Sequence, residues 1–269
     1  AWLVTVFGAF GLVAFREKML VLALPKMSEL VASWTKVLAV GVPASVGNAV
    51  NPLGIAVATS MIAAFGEVVV AGFGVATRIE SLAVIPMLAL SSAIGPFAGQ
   101  NWGAGKCYRV AEALRFSYAV CAVWAAVLGL FFWVAATPIV SIFSQDDAVI
   151  SAAKTYLAIV PLSLWGYGVV IISAGAFNAL GRSHYGLGLY LVRTAVLYIP
   201  LSVIAAQFAA SEAVFYAIAA ANALAGVTVG SFALFWLSRR SAPGPAPSPS
   251  GPTCVPWDAT WSRIWPSRG

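Results

Sequence analysis

Residues 76–106 read ATRIESLAVIPMLALSSAIGPFAGQNWGAGK. The stretch carries Arg78 and Glu80 inside an apolar run, passes Pro86 and Pro96 and a row of small residues, and closes in a polar loop ending at Lys106. A charge at the centre of a bilayer costs about 2.5–3.5 kcal/mol on insertion scales, so such residues face a protein interior or a wet cavity. An apolar helix that carries them belongs on the inside of a bundle of membrane spans.

The rest of the chain fits that reading. Of 269 residues 61% are hydrophobic and only 9% are charged, with a mean hydropathy of +0.92. Soluble domains carry about 25% charged residues, so the composition is that of an integral membrane protein. Lipid leaves only helices or closed barrels able to satisfy their own backbone. The apolar runs are far longer than barrel strands of about ten alternating residues, and helices are predicted. The formal charge of +6 does not point to nucleic acid, because the basic residues lie in short loops rather than on one face. Cys107, Cys121 and Cys254 have no metal-ligand spacing, and His184 is the single histidine.

Residues 1–15 read as the end of a truncated transmembrane helix, too short for a span of about 20 residues. The opening AWLVTVFGAF lacks the charged n-region of a signal peptide. Residues 16–36 read as a cytoplasmic amphipathic connector, with Lys26, Glu29 and Lys36 among apolar residues. A six-helix transmembrane bundle is predicted over 37–237, with spans near 37–65, 68–99, 110–136, 151–180, 186–207 and 212–237. Basic residues cluster at Arg16, Lys18, Lys26 and Lys36, at Lys106, Arg109 and Arg115, and at Arg182, Arg239 and Arg240. The alternate loops carry Glu67, Asp146, Asp147 and Glu212, with Lys154 the single basic residue there. The positive-inside rule then places the basic loops and the C-terminus in the cytoplasm, in an inner (plasma) membrane. Residues 238–269 read as a disordered Pro/Ser/Trp-rich tail, in which Trp257, Trp261 and Trp265 recur every four residues.

Small residues four apart allow helices to approach closely in lipid. Ser91, Gly95, Gly99 and Gly103 form one such stripe and Asn222, Gly226 and Gly230 another. Pro43, Pro52, Pro86, Pro96, Pro161 and Pro200 recur inside spans. Each removes a backbone donor and bends or breaks its helix, a property suited to a protein that rocks between two states.

Three segments carry a family resemblance: GVPASVGNAV (Gly41–Val50), ATRIESLAVIP followed by GQNWGAGK (Gly99–Lys106), and SAGAFNALGRS (Ser173–Ser183). Over about residues 16–237 the chain resembles the multidrug and toxic compound extrusion (MATE) transporters. The resemblance implies an all-α membrane fold of two six-helix lobes, of which this chain looks like the second. It implies export of organic, often cationic, compounds in exchange for protons or sodium by alternating access with an N-terminal lobe that this sequence lacks. The lipid bilayer and a small organic cation are the partners implied; no nucleic acid and no cofactor beyond the coupling ion is expected. The loop motif Gly99, Gln100, Asn101, Gly103, Gly105 and Lys106 is part of the resemblance. In the sodium-coupled branch a glutamate stands where this chain has Asn51, and the coupling aspartate falls near Tyr167. With both acids missing, the chain more closely resembles the branch that couples through its first lobe.

Candidate cavity residues follow. Arg78 and Glu80 do not face each other on a helix, and Arg193 is the expected partner of Glu80. Glu80 is also the coupling candidate. Asn48, Asn51, Asn178 and Asn222 should point inward, since a side-chain amide in lipid needs partners. Trp165, Tyr167, Tyr190 and Tyr198 offer faces for an organic cation, with Tyr167 the strongest because it is mid-span. A flippase for lipid-linked saccharides and a non-transporting remnant are the alternative readings. An intramembrane enzyme is not expected, because no span holds a nucleophile or metal set.

Overall fold

The computed structural model describes residues 2–16, 26–208 and 210–240, and these fall into two compact units, residues 1–39 and 40–269. The tryptophan-rich tail, Cys254 and residues 17–25 of the expected connector lie outside the described residues. In the first unit α1 (Trp2–Gly11) runs into a π turn at Leu12–Arg16. There α2 (Met27–Ile62) also begins, well ahead of the expected span start at residue 37. Lys26 explains the early start: its carbonyl accepts the Glu29 and Leu30 amides, while its own amide donates back to the Glu29 carboxylate at 3.3 Å. That reciprocal arrangement is half of a capping box. Residues 27–36 form the first turns of α2.

The second unit continues α2 and adds α3 (Glu67–Gly103), α4 (Cys107–Val140), α5 (Asp147–Ile159), α6 (Leu164–Ala179), α7 (Ser183–Leu191), α8 (Ile199–Ala205) and α9 (Ser211–Arg240). Among the described residues six segments are long and apolar enough to cross a membrane: Met27–Phe65, Glu67–Gly103, Cys107–Val140, Asp147–Ala179, Ser183–Ala205 and Ser211–Arg240. They match the six predicted spans, each longer than or shifted by a few residues from the expected limits. Two are interrupted. Pro161 lacks an amide donor, and a 3₁₀ turn at Pro161–Ser163 separates α5 from α6. A π turn at Val192–Tyr198 separates α7 from α8, just before Pro200.

The fourth span is the axis of the bundle, 72% buried over its most apolar window. Its half α6 packs on α3, α4, α7 and α9. The small-residue stripes account for two of these contacts. A Cβ on Gly166 would run into the Asn222 backbone carbonyl, and one on Gly226 would sit 2.7 Å from the Trp165 ring. Along α3, the Ser91 hydroxyl donates to the Ile171 carbonyl at 2.9 Å, and Gly99 passes the Ala179 carbonyl. Gly103 does not join this contact; a side chain there would meet open space. Polar side chains tie the remaining crossings. Trp124 Nε1 donates to the Ala83 carbonyl, one turn before Pro86, and Tyr118 shares a 2.6 Å hydrogen bond with Ser173.

The GQNWGAGK loop is a helix stop. Gly105 adopts φ +75°, the Lys106 amide returns to the Asn101 carbonyl and the Gly105 amide to the Trp102 carbonyl. This is the Schellman pattern, which places glycine in the left-handed region. The same device ends α6: Gly181 has φ +69°, with Arg182 bonded to Phe177 and Gly181 to Asn178. Trp102 stacks on Trp236 at 5.6 Å, so the ends of α3 and α9 meet.

Candidate functional site

Both interruptions are built around polar side chains. On a helix of 3.6 residues per turn, positions five apart lie about 140° from each other. The π turn closes that gap: the Ile199 amide bonds to the Thr194 carbonyl, an i to i−5 bond. Arg193 and Tyr198 consequently point the same way, with the guanidinium 5.6 Å from the Tyr198 ring centre. Such turns recur at functional positions inside helices. The 3₁₀ turn of the fourth span presents Ser163, whose hydroxyl donates to the Val160 carbonyl at 2.7 Å.

Asn222 of α9 joins the two breaks. Its Oδ1 accepts from Arg193 Nε at 3.0 Å and from Nη2 at 2.8 Å, and its Nδ2 donates to Ser163 Oγ at 3.1 Å. Arg193 Nη1 donates to Asn51 Oδ1 at 2.9 Å. The guanidinium lies 4.2 Å from the Tyr167 ring centre, with the Tyr198 ring as a second neighbour. Arg193 is 5% exposed. Hydrogen bonds to a charged group contribute about 1.5–3 kcal/mol each, and a desolvated cation over an aromatic ring about 2 kcal/mol. Together these interactions offset the cost of burying the charge.

Glu80 of α3 sits across the same space, accepting a short hydrogen bond from the Tyr156 hydroxyl of α5. Tyr156 is held by edge-on contacts with Phe73 and Phe215 at 5.4 and 5.2 Å. Between the two networks is a cavity of about 210 Å³, with Asn51, Thr77, Glu80, Tyr156, Tyr167, Arg193, Tyr198 and Asn222 supplying its polar wall. It is large enough for several waters, given about 30 Å³ for each in the liquid.

Asn51, Glu80, Tyr167, Arg193 and Tyr198 converge, and Asn222 joins them in the lining. The remaining candidates do not line this space. Arg78 and Asn48 are exposed on their helices, Trp165 packs against Gly226, and Asn178 lies against Gly186. Tyr190 packs against Gly47 instead. The expected Glu80–Arg193 pair takes another form, since Glu80 bonds to Tyr156 and Arg193 to two asparagines. Sequence reasoning missed Tyr156, although a phenol in the middle of an apolar span needs an acceptor. Asn222, expected to point inward to a partner, both ties spans together and lines the cavity. The loop from Gly99 to Lys106 lies at the helix end, outside the cavity lining.

Comparison with known proteins agrees with this architecture. Residues 43–204 match the MatE family. The chain is 32% identical over 240 residues to a protein of Shewanella oneidensis described as an FAD transporter, covering 89% of this chain and 52% of that one. It is 24% identical to a probable multidrug resistance protein, YpnP, of Bacillus subtilis, covering 73% of this chain and 43% of that one. The fold superposes on the crystal structure of the Vibrio cholerae MATE transporter VcmN in its bent form with a TM-score of 0.73. That match has 25% identity and covers 80% of this chain and 49% of the other. The chain thus spans about half the length of the relatives it matches. With six membrane-spanning segments and more than half its length within the family match, the chain is a multi-pass membrane protein that belongs to the MatE family.

Proposed function

We propose that the chain forms one six-helix lobe of a secondary active transporter that exports organic, often cationic, compounds in exchange for protons or sodium. The observation that carries this reading is the polar cavity between Glu80–Tyr156 and Arg193–Asn222, set inside a membrane bundle whose two interrupted spans supply its walls. Buried ionisable residues in membrane spans mark ion or substrate pathways. Interrupted helices are the usual material of such sites and of the motion that alternates access to them. A second lobe closes the other side of the path, in line with relatives about twice as long. Glu80 is the one carboxylate among the lining residues and the coupling candidate of this lobe. The basic helix ends face the cytoplasm, and the protein sits in the plasma membrane.

A second reading concerns the cargo. Arg193 presents a fixed cation to the cavity between two phenol rings, and one relative is described as an FAD transporter. An aromatic anion of the flavin nucleotide class suits those groups better than a cation does. Everted membrane vesicles containing this lobe together with its partner lobe separate the readings. Uptake of a fluorescent organic cation and of FAD is followed under a proton gradient, a sodium gradient and neither. Gradient-driven uptake of the cation supports the first reading, and uptake of FAD alone supports the second. Uptake of neither cargo under any gradient rejects both.

A further inference from the structure

A second concave feature lies apart from the polar cavity and shares none of its lining. It is an apolar groove of about 370 Å³ between α7 and α9, walled by Tyr185, Gly188, Val192, Thr228 and Phe232. Gly188 keeps it open, since a side chain at that position would meet nothing within 4 Å. Thr228, Phe232, Trp236 and Arg240 follow at intervals of four on α9 and so form one stripe. The groove leads along that stripe to a basic mouth. Trp236 touches the α7 wall, its ring centre 5.8 Å from that of Tyr185, which in turn lies 6.1 Å from Phe232. Two cations cover the same indole: the Arg182 guanidinium lies 5.2 Å from its centre and that of Arg240 4.2 Å. Arg239 lies beside them, over Phe235.

We propose that this groove holds an anionic phospholipid, with its phosphate between Arg182 and Arg240 and one acyl chain running past Gly188. Charge and length both argue for it. Two guanidinium groups gathered on one ring make this end of the groove basic, and basic pockets between membrane helices take acidic headgroups. From Arg240 back to Thr228 the helix rises about 18 Å at 1.5 Å per residue. One leaflet accounts for about 15 Å of a hydrocarbon core about 30 Å thick. The stripe therefore starts at a headgroup level and ends near the mid-plane, as a lipid does. A free phosphate would use the arginines but leave the groove unexplained. A zwitterionic lipid would use the groove but gain little from the arginines.

Native mass spectrometry of the purified protein in mild detergent tests the assignment. The protein is titrated with phosphatidylglycerol, with phosphatidylcholine of identical acyl chains, and with the deacylated headgroup glycerophosphoglycerol. Phosphatidylglycerol is expected to bind about tenfold more tightly than phosphatidylcholine, a preference that Arg182→Gln with Arg240→Gln abolishes. Gly188→Leu, whose Cβ meets no neighbour and whose side chain extends into the groove, is expected to weaken both lipids about fivefold or more. Thermal melts followed by tryptophan fluorescence establish that each variant is folded. If the arginine variant does not fold, unchanged phosphatidylglycerol binding in Gly188→Leu overturns the proposal. Equal binding of the two lipids does so too, as does a deacylated headgroup that binds as well as the lipid. A dimer of the chain that resists lipid and is split by Gly188→Leu would assign the groove to a second copy instead.

Discussion

Asn222 Oδ1 receives two hydrogen bonds from the Arg193 guanidinium, at 2.8 and 3.0 Å, and these bind the last span to the π turn of the fifth. The same amide reaches Ser163 in the break of the fourth span. One side chain thereby joins the interruptions of the fourth and fifth spans. Removing one partner of a buried, hydrogen-bonded charge costs about 3–5 kcal/mol, whereas replacing the whole group by apolar residues of similar volume is often neutral. Asn222→Leu alone should lower the thermal midpoint in detergent by several degrees. Asn222→Leu combined with Arg193→Met and Asn51→Leu should recover most of the loss. A triple variant less stable than the single one contradicts a hydrogen-bonded network as the source of the effect.

Arg193→Lys probes the geometry of that network while keeping its charge. A lysine ammonium is a point donor and lacks the planar fork that reaches Asn51 and Asn222 while lying flat on Tyr167. Losing one such bond and the ring contact should cost about 2 kcal/mol. A thermal midpoint unchanged from wild type would show that charge alone matters at this position.

Glycines of identical appearance in the sequence should behave differently. A Cβ at Gly226 comes within 2.5 Å of Gly166 Cα, a backbone atom that cannot step aside. Gly226→Ala should destabilise the bundle by about 1–3 kcal/mol or more through overpacking. Gly103→Ala meets open space at a helix end and should be neutral, or stabilising by up to about 1 kcal/mol from backbone entropy. Gly105→Ala should destabilise by about 1–2 kcal/mol, because φ +75° is left-handed. Fluorescence-detected size exclusion after a heat step ranks the three.

How far these residues could be read without coordinates depends on what each one signals. The spans were legible because lipid forbids any other use of long apolar runs. The prolines were less so: Pro161 and Pro200 stand at the interruptions, whereas Pro43, Pro52, Pro86 and Pro96 lie inside continuous helices. Asn51, Glu80, Tyr167, Arg193 and Tyr198 were legible as polar groups with nowhere else to go. Their partners were not. The convergence of Arg193 with Tyr198 depends on a π turn, which moves positions five apart onto one face and leaves no pattern in the sequence. The stripe through Gly103 follows the helical period, yet the neighbouring helix ends before reaching it. Arg78 looked equivalent to Glu80, two residues along, and lies on the exposed side because two residues turn a helix by about 200°.

Glu80→Gln separates structure from coupling in the cavity. A glutamine carbonyl still accepts the Tyr156 hydroxyl, so the contact between α3 and α5 persists. What is lost is the ability to carry a negative charge opposite Arg193. The thermal midpoint should stay within a few degrees of wild type, while gradient-driven transport in everted vesicles falls at least about tenfold, as for loss of an essential proton-transfer group. Tyr156→Phe makes the complementary change, leaving the carboxylate but removing its donor. It should keep transport measurable and lower stability by about 1–3 kcal/mol, the cost of an unmade hydrogen bond to a charged group. Glu80→Gln protein that is fully folded and exports at the wild-type rate under a proton or sodium gradient removes the coupling role from this lobe. The ion-coupled step would then belong to the other lobe, and Glu80 would remain as the acceptor that fixes Tyr156 against Phe73 and Phe215.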